Sequence, residues 1–195
     1  MDIAVHLGFH CTEDDRLWRC LDKNSEMLSQ RGIAVPPRQS YRPLMKEAMA
    51  AARDPAAPPA ALRAEIMDAA AVPPACERLV LSHPNLICFP GKAITTDGFY
   101  AMAPRRVRNV VALLGDEVKE IHLGLRNPAT LIPALLDRLA DVDYAGLMCG
   151  FDPRDIRWAD TIRKLRAALP GQRLVLWCNE DLPLIWPELL RRTAG

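Results

Sequence analysis

The first thirty residues constrain the fold more than any other stretch. Ile3-Ala4-Val5-His6-Leu7-Gly8 is an apolar run ending in glycine, and a tight connection, Phe9-His10-Cys11, follows it. A helix is then predicted to open at Thr12 and run to Arg31, with Leu17, Trp18, Leu21 and Leu28 near a 3.6-residue period and Gly32 as the stop. A buried strand feeding a helix through a short glycine turn is the opening unit of α/β proteins. The same layout lets a helix N-terminus hold a phosphate on backbone amides.

The rest of the chain repeats the alternation. Ile33-Ala34-Val35 is a short extended segment, and residues 41–53 and 59–71 read as Ala-rich amphipathic helices. Between them, Asp54-Pro55-Ala56-Ala57-Pro58-Pro59 reads as an interhelical turn. Strands are predicted at Arg78–Ser82, Val118–Leu125 and Leu174–Trp177. Helices are predicted at residues 97–115, 128–139, 154–169 and 183–192. Strands alternating with helices predict an α/β fold: three layers, α/β/α, around a mainly parallel central sheet. At 195 residues the chain can bury one substantial core, so we expect a single domain over 1–195 with a helical insertion at about 38–75.

Charge and cysteine usage narrow the partners. A formal net charge of +1 provides no basic field for nucleic acid or an anionic membrane, so neither is expected as a partner. The six cysteines include no CxxC pair and fit free thiols in a reducing compartment. Met1-Asp2 leads directly into a strand, without the basic and long apolar regions of a signal peptide, and no apolar run reaches membrane-spanning length. A cytoplasmic location is expected.

Four segments together resemble the sulfotransferases, P-loop fold proteins that move a sulfuryl group from 3′-phosphoadenosine-5′-phosphosulfate. His6 to Asp15 looks like that family's phosphosulfate loop, in which a lysine or arginine stands two residues before Gly-Thr-Thr. Ser82-His83-Pro84 is similar to the segment carrying the family's catalytic base. Arg126-Asn127-Pro128 is similar to the Arg-x-Pro segment that, with a serine eight residues later, holds the 3′-phosphate. Asn179-Glu180-Asp181-Leu182 is similar to a Tyr-Glu-Asp-Leu segment. The resemblance implies a P-loop, sulfotransferase-like fold. It implies donor contacts from Gly8, Phe9, His10, Cys11, Thr12 and Arg126, and His83 as general base.

The departures fall on the functional atoms. Cys11 stands where the cation belongs, Glu13-Asp14-Asp15 where Gly-Thr-Thr belongs, and Ala134 where the serine belongs. A carboxylate ~6 Å from a bound anionic oxygen repels it by roughly 3 kcal/mol at an effective dielectric near 20. A helix N-terminus returns only about 0.3–1 kcal/mol, rising to ~2 in favourable geometry. One inward carboxylate therefore outweighs the helix.

The same residues suit a helix start, with Thr12 as N-cap and Asp15 three residues on as the acidic partner of a capping box. The expected role is a sulfotransferase-fold binding or interaction module without ordinary phosphosulfate-dependent activity, its partner an unknown small molecule or protein. The alternative is an active transferase to a hydroxyl or amine, with 3′-phosphoadenosine-5′-phosphosulfate as cofactor.

The plainer roles of the same residues are a solvent-facing turn for His83, a salt bridge to Glu13, Asp14 or Asp15 for Arg126, and a passive thiol for Cys11. Glu180 and Asp181 read as first-turn acids of the last helix, and Arg105, Arg106 and Arg108 as a solvated helix face. His6 and His10 lack the helical spacing of a metal motif, so no metal is expected.

Overall fold

A computed structural model describes residues 1–51 and 60–195. The predicted turn at 54–59 lies outside the described residues. The elements run, in chain order, β1 (Asp2–His6), α1 (Arg16–Lys23), α2 (Ser25–Ser29), β2 (Ile33–Ala34), α3 (Arg38–Ala51) and α4 (Ala60–Ala69). Then come β3 (Arg78–Ser82), β4 (Ile94–Thr95), β5 (Gly98–Phe99), α5 (Ala103–Leu114) and β6 (Val118–Leu125). The chain finishes with α6 (Pro128–Arg138), α7 (Tyr144–Met148), α8 (Trp158–Ala168), β7 (Arg173–Cys178) and α9 (Leu182–Ala194).

Five strands form the central sheet in the order β2-β3-β1-β6-β7. Every neighbouring pair in it is parallel. From β1 the chain steps out to β2, returns to β3, then passes β1 to reach β6 and β7. Right-handed crossovers put the helices of the outward step on one face and those of the return on the other.

Packing follows that rule. Ile3, Val5 and Leu7 of the first strand and its exit, with Leu79, Leu81, Ile121 and Leu123, face a large apolar cluster that includes Tyr41, Met45, Ile66, Val107, Leu135 and Leu165 from α3, α4, α5, α6 and α8. Val80 and Trp177 face a smaller cluster with Leu17, Trp18 and Leu21 of α1 and Leu182 and Leu189 of α9. The sheet is thus covered on both faces, as near-continuous apolar strands require.

Three elements differ from expectation. The first helix starts four residues later than predicted and breaks at Asn24 into α1 and α2. Residues 97–99, read as the start of a helix, belong instead to the β4–β5 hairpin around Thr96-Asp97, and α5 begins only at Ala103. The predicted helix at 154–169 begins with a short 3-10 turn, Pro153–Asp155, and becomes α-helical at Trp158. Among the described residues no helix is long and apolar enough to cross a membrane.

Candidate functional site

The connections from β1 and β3 leave in opposite directions across the sheet, so the C-terminal end of β1 lies at the crevice where α/β sheets place their ligands. The loop from Leu7 to Asp15 fills that crevice. Gly8, Cys11, Asp14 and Asp15 all have left-handed backbone, with φ of 54°, 56°, 52° and 62°. For Gly8 this carries no steric cost; for the other three it has to be held by surrounding contacts. A cavity of about 200 Å³ lies against this loop, bordered also by Arg42, Pro84, Asn85 and Arg138.

Each residue at the matched donor positions is committed to the protein itself. Phe9 is buried in an aromatic cluster, its ring 4.5 Å from Tyr100 and 4.6 Å from Trp158. His10 bonds through Nε2 to the Cys88 carbonyl at 2.9 Å and through Nδ1 to the Tyr100 hydroxyl at 2.9 Å. Since the carbonyl only accepts, Nε2 carries the proton and Nδ1 accepts from Tyr100, giving a neutral ring. Burial lowers the His10 pKa to about 4. Cys11 is buried with its thiol toward the Ala134 carbonyl at 3.4 Å, and burial pushes that thiol up. This agrees with a passive thiol.

Thr12 does not cap the helix. Its hydroxyl donates back to the Phe9 carbonyl at 2.9 Å, while Asp15, the residue before α1, makes no side-chain cap. The cap is Glu13. Its side chain is almost completely buried, and its Oε2 accepts from the Leu17 N–H at 2.8 Å. A carboxylate of the chain therefore occupies the amide that a bound anion would use.

A chain of polar contacts runs beneath Glu13 and stops short of it, leaving His6 Nε2 without a hydrogen-bond partner among the described residues. Arg42 donates to the Ser82 hydroxyl at 3.3 Å, and Ser82 Oγ lies 3.0 Å from His6 Nδ1. We assign the hydroxyl as donor to Nδ1, which leaves the His6 ring proton on Nε2, 3.5 Å from Glu13 Oε1. His6 is fully buried. Burial first, then the neighbouring His122, lowers its pKa to about 3, whereas burial raises that of Glu13.

The two remaining loop acids are neutralised by arginines that sequence reasoning did not single out. Asp15 meets Arg38 at 2.5 Å and Arg42 at 3.0 Å, and these arginines outweigh the effect of burial to lower its pKa. Asp14 pairs with Arg138. Positions 38 and 42 are one helical turn apart on α3, a spacing that puts both on one face. That spacing was the available signal.

Arg126 does not reach any of these acids. It donates to the Cys11 carbonyl at 2.7 Å and to Thr130 Oγ1 at 3.2 Å, fastening the loop to the start of α6. Glu180 sits in the short turn before α9 and also reaches the neighbouring segment. Its Oε1 accepts from the Asn127 N–H at 2.9 Å and from the Thr130 hydroxyl at 3.1 Å, tying the exit of β7 to the start of α6, which Asn127 caps through its side chain. Two helix starts at this edge, those of α1 and α6, thus each carry a glutamate of the chain.

His83 is half-buried rather than solvent-facing, its Nδ1 without a hydrogen-bond partner among the described residues. Burial and then Arg42 lower its pKa to about 4, so it is neutral at physiological pH. Arg106 is also not simply solvated, since it donates to the Leu86 and Met49 carbonyls at 3.0 and 3.1 Å.

Gly124 of β6 is the tightest approach beneath the loop. An added Cβ would lie 3.0 Å from both Thr12 Cβ and Trp177 Nε1, so only glycine lets β6 pass under the turn. Among the described residues no group of three or more His, Cys, Asp and Glu side chains is placed to hold a metal ion. No family model, no curated protein and no solved structure matches this chain.

Proposed function

We propose that this chain is a sulfotransferase-like protein of the P-loop type whose donor site is closed by its own carboxylates, and that it serves as a non-catalytic binding or interaction module. The strand order, with β1 central and its exit loop at the crevice, is compatible with a P-loop arrangement. The observation that carries the reading is the Glu13 carboxylate, buried and 2.8 Å from the Leu17 N–H. An anion entering there would have to displace it, and the nearby arginines Arg38, Arg42 and Arg138 are already engaged by Asp15 and Asp14. Arg126, the matched phosphate ligand, is held on the Cys11 carbonyl.

Calorimetric titration with 3′-phosphoadenosine-5′-phosphate tests this. We expect no binding below a Kd on the order of 1 mM. Micromolar binding that disappears in Arg126→Ala would overturn the reading and favour an active transferase with His83 as base and Arg126 on the nucleotide.

Rebuilding the loop gives a second prediction. The combination Cys11→Lys, Glu13→Gly, Asp14→Thr and Asp15→Thr removes three carboxylates and supplies a cation. Relief of even one repulsion of roughly 3 kcal/mol corresponds to an affinity gain of about a hundredfold. Losing the Glu13 cap costs about 1 kcal/mol of stability. The same titration reads the gain, and an unchanged affinity would show that the loop acids are not the barrier.

A further inference from the structure

The first residues of β3 and β7 are both arginines, Arg78 and Arg173. Val80 and Trp177, an even number of residues further along each strand, face the α1/α9 cluster, so both arginines start on that side of the sheet. Glu120 of β6 is opposite Arg173 in register and shares the same face. Arg192 reaches this point from the last turn of α9. Four charged side chains therefore meet at the N-terminal end of the sheet, the end away from the Leu7–Asp15 loop.

Hydrogen bonds are shared unequally among them. Arg78 is engaged by the fold: it donates to Glu120 Oε2 at 2.6 Å and to the carbonyls of Thr193 and Arg192 at 3.1 and 3.4 Å, which also satisfies the negative end of α9. His122 Nε2 takes the same Glu120 oxygen at 3.1 Å. Arg173 and Arg192 have no such partners. Their nitrogens lie 3.3 and 4.0 Å from Glu120 Oε1, and among the described residues neither side chain donates a hydrogen bond. Each guanidinium carries five N–H donors, and these side chains are 62% and 42% exposed, so a ligand from solvent can reach them.

Charge is out of balance as well. Three guanidinium groups share one carboxylate. Asp2, the register partner of Arg78, forms no ion pair among the described residues, and even with it counted one positive charge is left over. Two arginines drawn to a single oxygen repel each other unless a further anion comes between them. The planar fork of arginine suits an oxyanion that can give oxygens to both groups at once.

From these two unsatisfied, convergent guanidinium groups we propose that Arg173 and Arg192 form a binding site for a doubly charged oxyanion of the phosphate or sulfate type, with the Arg78–Glu120 pair fixed behind them. The inference is independent of the reading of the donor site, which lies at the opposite end of the strands. With two exposed arms, a dissociation constant on the order of 1 mM is expected at low ionic strength.

Titration of the full chain with inorganic phosphate at pH 7.5, followed by NMR of the arginine Nε–H groups and backbone amides, tests this. Saturable shifts centred on Arg173 and Arg192 are expected. Arg173→Ala and Arg192→Ala should each weaken binding about tenfold, the loss of one charge-assisted contact. Arg105→Ala, an exposed arginine on α5, should leave it unchanged. Acetate, with a single charge, should bind more weakly. Methyl phosphate separates a free anion from the head group of a larger molecule: affinity equal to that of phosphate is expected if one oxygen faces solvent, and a tenfold loss assigns the site to the free anion. Shifts that do not saturate, affinity indifferent to Arg173→Ala and Arg192→Ala, equal weakening by Arg105→Ala, or acetate binding as well as phosphate would each overturn the proposal. Shifts confined to the Leu7–Asp15 loop would overturn it too and would count against a closed donor site, whereas loss of binding at the arginines alone leaves that reading untouched.

Discussion

Lowering the pH from 7.5 to 5 is expected to remove a large part of the protein's stability, about 6 kcal/mol from three histidines. His6, His10 and His83 are held neutral in the fold, with pKa values lowered to about 3, 4 and 4 by burial. In the unfolded chain each titrates near 6.5. A base whose folded pKa is depressed gives stability that is complete above the unfolded pKa and is lost as pH falls through the window between the two values. At pH 5 the unfolded chain has bound nearly three protons that the folded chain has not. The difference is roughly 2 kcal/mol per histidine, or about 6 in all.

Small domains hold about 5–15 kcal/mol in total. Burial lowers His122 too, in the same direction. Urea denaturation across this pH range checks the prediction, and a stability flat from 7.5 to 5 would contradict it. His6, His10 and His83 all lie in or against the Leu7–Asp15 loop, so its contacts are the ones acid should release.

Glu120→Ala is expected to be among the costliest substitutions of a polar residue. Glu120 is almost buried on the α9 side of the sheet, where Arg78 donates to it at 2.6 Å and His122 Nε2 lies 3.1 Å away. Arg173 lies 3.3 Å from its other oxygen. The hydrogen bond from His122, offset by burial and reinforced by Arg78, lowers its pKa to about 2. Arg78 also donates to the Thr193 carbonyl, tying β3 to α9. Removing the carboxylate leaves a mostly buried guanidinium without its counter-charge, which typically costs 3–5 kcal/mol. For a chain of this size that lowers Tm by about 6–20 °C. A thermal melt measures it, and a shift within a degree or two would mean that Glu120 contributes little beyond its surface neighbours.

The sheet was legible because its signal is local. Ile3, Val5 and Leu7, and likewise Leu79 and Leu81, are apolar at every second position, and the glycines at 8 and 32 mark where strand or helix must stop. The hairpin at 94–99 carried a turn signal too, Asp97-Gly98 beside β-branched residues, but the apolar pattern after it suggested helix.

The loop could not be read in the same way. Thr12 and Asp15 satisfy the spacing of a capping box, yet Glu13 takes the amide, because left-handed Cys11, Asp14 and Asp15 curl the chain and turn Thr12 back on Phe9. The arginines that neutralise the loop come from positions 38, 42 and 138, and no local pattern links them to residue 15 or 14. Only the packing of α3 and α6 on the sheet brings them there.

The aromatic cluster beneath the loop also makes the site visible to light. Trp158 lies 4.6 Å from both Phe9 and Phe99, and its indole N–H donates to the Arg126 carbonyl at 2.7 Å. One fluorophore is therefore wedged against the Leu7–Asp15 loop and hydrogen-bonded to the segment that fastens it. A displacement of Arg126 would change the polarity and quenching around that ring. Trp158, one of four tryptophans, is thus an intrinsic reporter of where Arg126 sits.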